Sequence, residues 1–201
     1  MPEKLDLYKQ FASEYTAKIA PAFVSISPAR YLAIAGRGEP GSDAFSAAIG
    51  ALYNMAFTIK MASKFAGQDY AVSKLEGLWW ADDPAADFMS LPRDEWNWKL
   101  LIRIPDFVTA EHRQSALDTL AKRGKDPIVS KVLIEEIDEG ICVQILHVGP
   151  YSTEHETIGR MKSFAADNGR PPRGPHHEIY LSDPRRVASE KLRTILRQPV
   201  A

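Results

Sequence analysis

The sequence predicts an α+β protein made of duplicated βαββ modules, related by a pseudo-twofold axis, with a ligand cleft between them. Both halves of the 201-residue chain show the same order: a strand-like stretch ending in a glycine-containing turn, an amphipathic helical stretch, and two further strand-like stretches. In each half the strand after the helix carries a glutamate beside aromatic residues, Glu76 in the first and Glu178 in the second. We therefore treat residues 1–201 as a single domain with halves 22–105 and 106–201, whose glutamate-bearing strands face each other across the cleft.

The elements of the first half follow from apolar stretches bounded by turn residues. Strands are predicted at residues 22–26, 30–35, 72–80 and 96–104. Between the second and third of these, apolar residues recur at helical spacing. Ser42 or Asp43 can cap this helix, which ends near Gly67.

The second half repeats the pattern after an additional helix and strand. Helices are predicted at residues 110–122 and 153–166, and strands at residues 131–136, 141–148, 177–181 and 191–197. The glycine-containing turn Asp138-Glu139-Gly140 predicts a hairpin between the strands on either side of it. Asp183-Pro184 turns the chain between the last two strands.

Composition excludes several classes of partner. The chain has 25 basic and 26 acidic residues, a formal charge of -1, so neither direct nucleic-acid binding nor an anionic membrane surface is expected. The apolar stretch Ala44 to Phe57 is interrupted by polar residues and is shorter than the roughly 20 residues that span a bilayer. The N-terminus lacks a signal-peptide core, and the single Cys142 has no disulfide partner, which together indicate a cytoplasmic protein.

Glu178 is the strongest candidate for a functional residue. It interrupts the apolar stretch His177 to Leu181, and Tyr180 lies two positions away on the same strand face. A buried carboxyl has a raised pKa, which suits a general base that activates water. The alternative is a carboxylate paired with an arginine such as Arg185 or Arg186. Glu76 has two interpretations, as the symmetry mate of Glu178 or as an acceptor for backbone amides at Gly77.

Aromatic residues supply candidate walls for the cleft. Trp79, Trp80, Trp96 and Trp98 lie on two predicted neighbouring strands, and alternate residues of a strand share a face. Trp80 shares its face with Glu76 and Trp79 takes the other, so one of the two lines the cleft. The alternative is that these indoles are core residues. Planar or cationic ligands gain from stacking on such rings.

Two tyrosines complete the candidate site, and no metal or cofactor is predicted. Tyr151 follows Gly149-Pro150 at a strand-to-helix turn, where its hydroxyl can donate to a ligand oxygen, and Tyr53 lies on the first long helix. The five histidines include no pair at the i, i+4 helical spacing of a zinc motif.

Several segments of the chain resemble the GyrI-like small-molecule-binding proteins. They are residues 31–40, 75–80, 144–151, 176–184 and 194–197. The resemblance covers nearly the full length and is greatest to the stand-alone bacterial branch with the signatures Glu-Gly-Leu-Trp-Trp and His-His-Glu-Ile-Tyr-Leu-Ser-Asp-Pro. It implies two βαββ modules around a pocket lined by aromatic residues and a glutamate.

The resemblance also sets the functional expectation. Relatives bind cationic or planar drugs as effector domains of transcription regulators, shield gyrase, or hydrolyse the cyclopropane ring of DNA-alkylating natural products. For this chain we expect hydrolytic detoxification, with Glu178 and Tyr151 catalytic, and ligand binding by Glu76, Trp79, Trp80, Trp98, Tyr180 and Tyr53. The alternatives are a non-catalytic multidrug-binding or sequestering protein and a gyrase-interacting protein. A monomer or weak homodimer is expected, and the stretch before Ala22 is too short for a helix-turn-helix domain.

Overall fold

The computed structural model describes residues 4–83 and 86–201, which contain four α-helices and eight strands. The helices are α1 Leu7–Gln10, α2 Asp43–Phe65, α3 Ala110–Lys122 and α4 Glu154–Asp167. The strands are β1 Ala22–Ile26, β2 Ala29–Arg37, β3 Glu76–Trp80, β4 Asn97–Arg103, β5 Leu133–Ile137, β6 Gly140–Val148, β7 His176–Tyr180 and β8 Arg193–Pro199. The predicted α+β class is confirmed. The third strand is shorter than predicted, because residues 72–75 precede the paired segment.

All eight strands form one antiparallel, curled sheet in the order β1-β6-β8-β7-β3-β4-β2-β5. Strands β4, β2 and β5 follow on the β3 side of the central β3–β7 pair, and β8, β6 and β1 follow on the β7 side. The expectation that the glutamate-bearing strands face each other across a cleft is wrong, because β3 and β7 are hydrogen-bonded neighbours with Gly77 opposite Glu178. The pseudo-twofold relation between the modules stays a prediction.

The predicted hairpin between β5 and β6 does not form. Strand β5 pairs with β2, whereas β6 pairs with β1 and β8. Gly140 does adopt the left-handed conformation that a turn requires, with φ of 60°. The connection instead buries the side chain of Glu139, which bonds to His177 and to Arg197. Only Asp138 and Glu139 separate the two strands, so the curl of the sheet brings β5 at one edge close to β6 near the other.

The long helices cover one face of the sheet and form the main core there. Leu32, Leu52, Met55, Ile59 and Leu100 are completely or almost completely buried where α2 packs on β2 and β4. Ser42 begins α2, and its side chain accepts a hydrogen bond from the backbone N–H of Phe45. On the other side of the same face, α4 packs on β6. Each helix therefore buries the apolar stripe that its 3.6-residue period predicts.

The opposite face is covered by the N-terminal segment with α1. Tyr15 packs there against Leu146, Ile179 and Ile195. Because neighbouring residues of a strand alternate between faces, this face also receives Glu76 and His177. No helix in the described residues is both long and apolar enough to cross a membrane.

Candidate active site

A cavity of about 1100 Å³ lies on the helix-covered face, above the central strands β3 and β7. Its floor includes Trp79 and Glu178, one wall is formed by α2 with Phe45 and Tyr53, and another by the turn before α4 with Tyr151. The segments 88–96 and 181–185 close the remaining sides. The cavity therefore collects residues from both halves of the chain.

Glu178 occupies the floor of this cavity in an environment that favours its neutral form. The side chain is 12% exposed, and its Oε2 accepts a hydrogen bond of 2.8 Å from the hydroxyl of Tyr180. Burial raises the pKa of Glu178 to about 7, although the Tyr180 hydrogen bond works in the opposite direction. Arg185 and Arg186 pair with Asp183 instead, so the arginine-paired alternative is not what the structure contains. Glu178 and Tyr180 share one space, as the sequence predicts.

A second carboxyl, Glu154, faces the same cavity and was missed by the sequence analysis. It is the first residue of α4 and is buried. Burial, followed by the charge of Glu178, raises the pKa of Glu154 to about 9. An acidic residue in the first turn of a helix is usually an exposed group that favours the helix dipole. The sequence therefore held no signal that this helix start is turned toward the cavity.

Near neutral pH the two carboxyls can hold different protonation states. With pKa values of about 7 and 9, Glu178 is partly ionised while Glu154 keeps its proton. Pairs of titratable groups with separated pKa values are the usual basis for a division into base and acid. The cavity thus contains the elements of general acid–base chemistry.

The aromatic side chains form walls at several angles. Phe45 stacks on Trp79 with centroids 5.8 Å apart, and Tyr151 meets Tyr180 edge to face at 5.9 Å. Burial raises the pKa of Tyr151 to about 12, with Glu154 adding to the effect, so its hydroxyl keeps its proton and can donate. Tyr53 lines the wall formed by α2, as expected.

Gly77 determines how closely two of these groups approach the floor. A Cβ atom at this position would lie 3.1 Å from both Trp79 Nε1 and the Tyr180 hydroxyl. Either contact is tighter than van der Waals packing allows without movement. The absence of a side chain on Gly77 therefore lets the indole and the phenol meet beside Glu178, its cross-strand partner.

Three of the predicted ligand-binding residues are placed outside the cavity lining. Trp80 lies with Leu78 on the opposite face of the sheet. Trp98 is on the cavity side, but it packs beneath Phe45 and over Gly36, where a Cβ would come within 2.2 Å of the indole. Of the two adjacent indoles Trp79 and Trp80, it is Trp79 that reaches the cavity.

Glu76 is the third of these residues, and it belongs to a buried polar cluster on the opposite face. Its carboxylate accepts a hydrogen bond from Tyr15 at 3.1 Å and lies 3.0 Å from His177 Nε2. Neither interpretation of Glu76 from the sequence matches this arrangement. Burial disfavours the charged form of His177, but the carboxylates of Glu139 and Glu76 outweigh burial and raise its pKa to about 9. The same cluster contains Arg197, which bonds to Glu139 at 2.8 Å.

Metal binding and thiol chemistry receive no geometric support. Within residues 4–83 and 86–201, no three His, Cys, Asp or Glu side chains are grouped as metal donors. Cys142 is buried, and burial raises the pKa of its thiol to about 12.

Comparison with known proteins identifies the family. A family model described as the GyrI-like small molecule binding domain matches residues 20–201. The chain belongs to the GyrI-like family. No curated protein sequence matches the chain.

Solved structures of similar proteins agree with this assignment. An uncharacterized conserved protein from Listeria innocua is 37% identical, and the alignment covers 98% of this GyrI-like chain and 100% of that protein, with a TM-score of 0.91. A protein described as a hydrolase from Listeria innocua is 36% identical over 98% and 100% of the two chains, with a TM-score of 0.87. The EcmrR C-terminal domain, 13% identical over 90% and 96% of the chains with a TM-score of 0.60, shares the fold.

Proposed function

We propose that this GyrI-like domain is a hydrolase that opens strained rings in planar, electrophilic small molecules. The observation that carries the proposal is the pair of buried carboxyls, Glu178 and Glu154, with separated pKa values in one aromatic cavity. The description of a 36% identical Listeria innocua protein as a hydrolase supports the reaction class. The cyclopropane ring of DNA-alkylating natural products is the proposed target, and detoxification is the proposed role.

Binding in this proposal depends on the aromatic walls. A planar ligand packs against Trp79 and the tyrosines that line the cavity, and each stacked pair contributes on the order of 1 kcal/mol beyond burial. A cavity of about 1100 Å³ is large enough for a polycyclic ligand. The hydroxyl of Tyr151 donates to the ligand carbonyl and orients the ring toward Glu178.

The proposed reaction adds one water molecule across a carbon–carbon bond of the ring. The ionised Glu178 takes a proton from water, and the water oxygen bonds to the less hindered ring carbon. The single bond between that carbon and the ring carbon conjugated with the carbonyl breaks, and its electron pair moves through the conjugated system onto the carbonyl oxygen. This oxygen takes a proton from Glu154 or Tyr151. Proton exchange with solvent then restores both groups.

The required rate acceleration is modest because part of the ring strain is already released in the transition state. General acid–base catalysis by positioned groups typically supplies about 10²- to 10⁴-fold. Donors placed at the oxygen that gains negative charge add to this through electrostatic stabilisation. The buried setting strengthens both effects, since water competes less for the reacting groups.

Replacing Glu178 by Gln tests the proposal. We expect the purified wild-type protein to change the absorbance spectrum of a cyclopropane-fused dienone within minutes. The Glu178→Gln variant should bind the compound with an affinity within about threefold of wild type, while turnover falls about 10²-fold or more. Glu190→Gln, an exposed change, is the matched control and should leave both unchanged. A wild-type protein that binds the compound and leaves its spectrum unchanged for hours contradicts the enzymatic proposal.

A second candidate is a binding protein that sequesters drugs without turnover. It is favoured by the size of the cavity and its aromatic lining, which suit ligands of several shapes. The experiment above separates the two candidates, because a sequestering protein binds the compound and returns it unaltered. Interaction with gyrase stays a prediction that co-purification with a gyrase subunit would test.

A further inference from the structure

His176 is a buried histidine whose polar atoms have no hydrogen-bond partner. It is the first residue of β7, is 4% exposed, and points to the cavity side of the sheet with Glu178. Neither Nδ1 nor Nε2 has a partner within hydrogen-bond geometry. Its ring stacks on Phe88 at a centroid distance of 5.9 Å and an interplanar angle of 23°. Stacking accounts for an aromatic ring at this position and leaves the two nitrogens unexplained.

An unpaired ring nitrogen in a protein interior is costly, and a phenylalanine would fill the space without that cost. The neighbouring His177 shows the contrast at one ring nitrogen, because its Nδ1 bonds to Glu139 at 2.9 Å. A buried polar group that lacks a partner in one state of a protein commonly gains one in another. Among the described residues, the carboxyl of Glu178 lies near enough to His176 to become such a partner, while the charges of Lys162 and Asp87 act on the ring.

The geometry singles out one nitrogen and one oxygen. Nε2 of His176 lies 3.7 Å from Oε1 of Glu178, slightly too far for a hydrogen bond. Oε2 of Glu178 is already occupied by the Tyr180 hydroxyl. Burial, with the charge of His177 adding to it, lowers the pKa of His176 to about 3, so the ring is neutral. A neutral imidazole with its proton on Nε2 is a donor toward Oε1.

We propose that neutral His176 is the positioning residue of Glu178, donating a hydrogen bond from Nε2 to Oε1 when the carboxyl ionises. A movement of about 0.8 Å brings the two atoms to hydrogen-bond distance. His176 and Tyr180 then hold one carboxylate oxygen each and fix the orientation of the group. The remaining lone pairs of both oxygens stay available for the proton of water.

The hydrogen bond favours the ionised form of Glu178 and therefore the base that the reaction needs. Other charged or titratable groups act on Glu178 from every side. Tyr180 lies on the same strand, Glu154 on α4, Tyr151 on the preceding turn, and the charge of His177 acts from the opposite face. These groups are unchanged when His176 is replaced, so a difference between His176 variants reports on the hydrogen bond.

Three substitutions at this position distinguish a donor from a space-filling ring. In His176→Gln the side-chain amide nitrogen can occupy the place of Nε2, whereas in His176→Asn it corresponds to Nδ1 and falls short of Glu178. His176→Phe keeps the ring and removes both nitrogens. The carboxyl ¹³C signal of Glu178, assigned by its loss in Glu178→Gln, is titrated in each folded protein without ligand. We expect the pKa of Glu178 in His176→Gln to equal that in wild type. In His176→Asn and His176→Phe it should be about one unit higher.

The kinetic measurement depends on the proposed function, so its result is interpreted separately from the ¹³C titration. The acid limb of the pH–rate profile should move up by about one unit in His176→Asn and His176→Phe, with about a fivefold loss of kcat at pH 7 and an unchanged KM. The inference is overturned if the pKa of Glu178 is the same in His176→Gln and His176→Asn, or if it is the same in His176→Phe and wild type. If wild type shows no turnover while the ¹³C titrations differ as expected, the proposed reaction fails and the positioning role stands.

Discussion

The Glu178→Gln substitution should stabilise the protein in a pH-dependent manner, apart from its effect on turnover. Folding places this carboxyl in an environment that raises its pKa from 4.5 to about 7. Because each pH unit corresponds to 1.36 kcal/mol, the folded state carries a penalty of about 3 kcal/mol once the group is ionised. A glutamine fills nearly the same volume and has no charge to desolvate. The variant therefore escapes a cost that the wild-type protein retains.

The pH range of the effect follows from the direction of the shift. Below pH 4.5 the carboxyl is protonated in both the folded and unfolded states and makes no pH-dependent contribution. Between pH 4.5 and about 7 the unfolded state ionises first, so wild-type stability falls with rising pH. Above pH 7 both states are ionised and the full penalty remains. The stability difference between Glu178→Gln and wild type should therefore grow by about 3 kcal/mol from pH 4 to pH 8.

Urea denaturation at pH 4, 6 and 8 measures this difference. Any pH-independent cost of introducing glutamine appears equally at each pH and is removed by comparing the three values. The exposed Glu190→Gln variant should follow wild type throughout. If the difference between Glu178→Gln and wild type is constant with pH, the carboxyl is not held in a desolvated environment, and the assignment of Glu178 as a tuned base loses its physical basis.

Two further predictions concern Gly77 and His177. Gly77→Ala places a methyl group 3.1 Å from Trp79 Nε1 and the Tyr180 hydroxyl, so these groups must shift and turnover should fall about tenfold or more, measured by the loss of substrate absorbance. His177→Gln removes a cation that pairs with Glu139 alongside Arg197 and lies beside Glu76, and urea denaturation at pH 6 should show a loss of about 3 kcal/mol. Because the pKa of His177 is raised to about 9, its contribution is complete below pH 6.5 and disappears as the pH rises through 9, where the two proteins should converge.

Each of these variants has a control on the same molecule. Gly50→Ala lies on α2 with open space around the added methyl group, and it should keep full turnover and gain stability of up to about 1 kcal/mol from helix propensity. His155→Gln changes an exposed histidine and should leave the free energy of unfolding at pH 6 within about 0.5 kcal/mol of wild type. An active Gly77→Ala variant, or a His177→Gln variant whose deficit persists at pH 10, contradicts the respective argument.

Local sequence periodicity was sufficient to predict much of the fold and part of the candidate site. Alternation along β3 separated Trp79 from Trp80, and alternation along β7 placed Tyr180 with Glu178. Polar capping residues and helical spacing predicted α2 with Ser42 or Asp43 as its cap, and Ser42 is the cap in the structure. These features depend on residues within a few positions of one another, which is why a single sequence contains them.

Strand partners depended on contacts between distant residues. Strands β5 and β6 are adjacent in sequence and have the pattern of a hairpin, yet they bond to different neighbours. The buried bonds of Glu139 with His177 and Arg197, which join residues 38 and 58 positions apart, favour this outcome. No local sequence pattern predicts contacts between residues so far apart in the chain.

By itself, the sequence determined the α+β class, most element boundaries, and which residues of a strand share a face. Only the tertiary structure decided that Glu76 is enclosed with Tyr15 on the opposite face and that Glu154 joins Glu178 in the cavity. The physical reason is that periodicity assigns a residue to a face, whereas the chain segment that later covers that face determines whether the residue is desolvated, paired or open to a ligand.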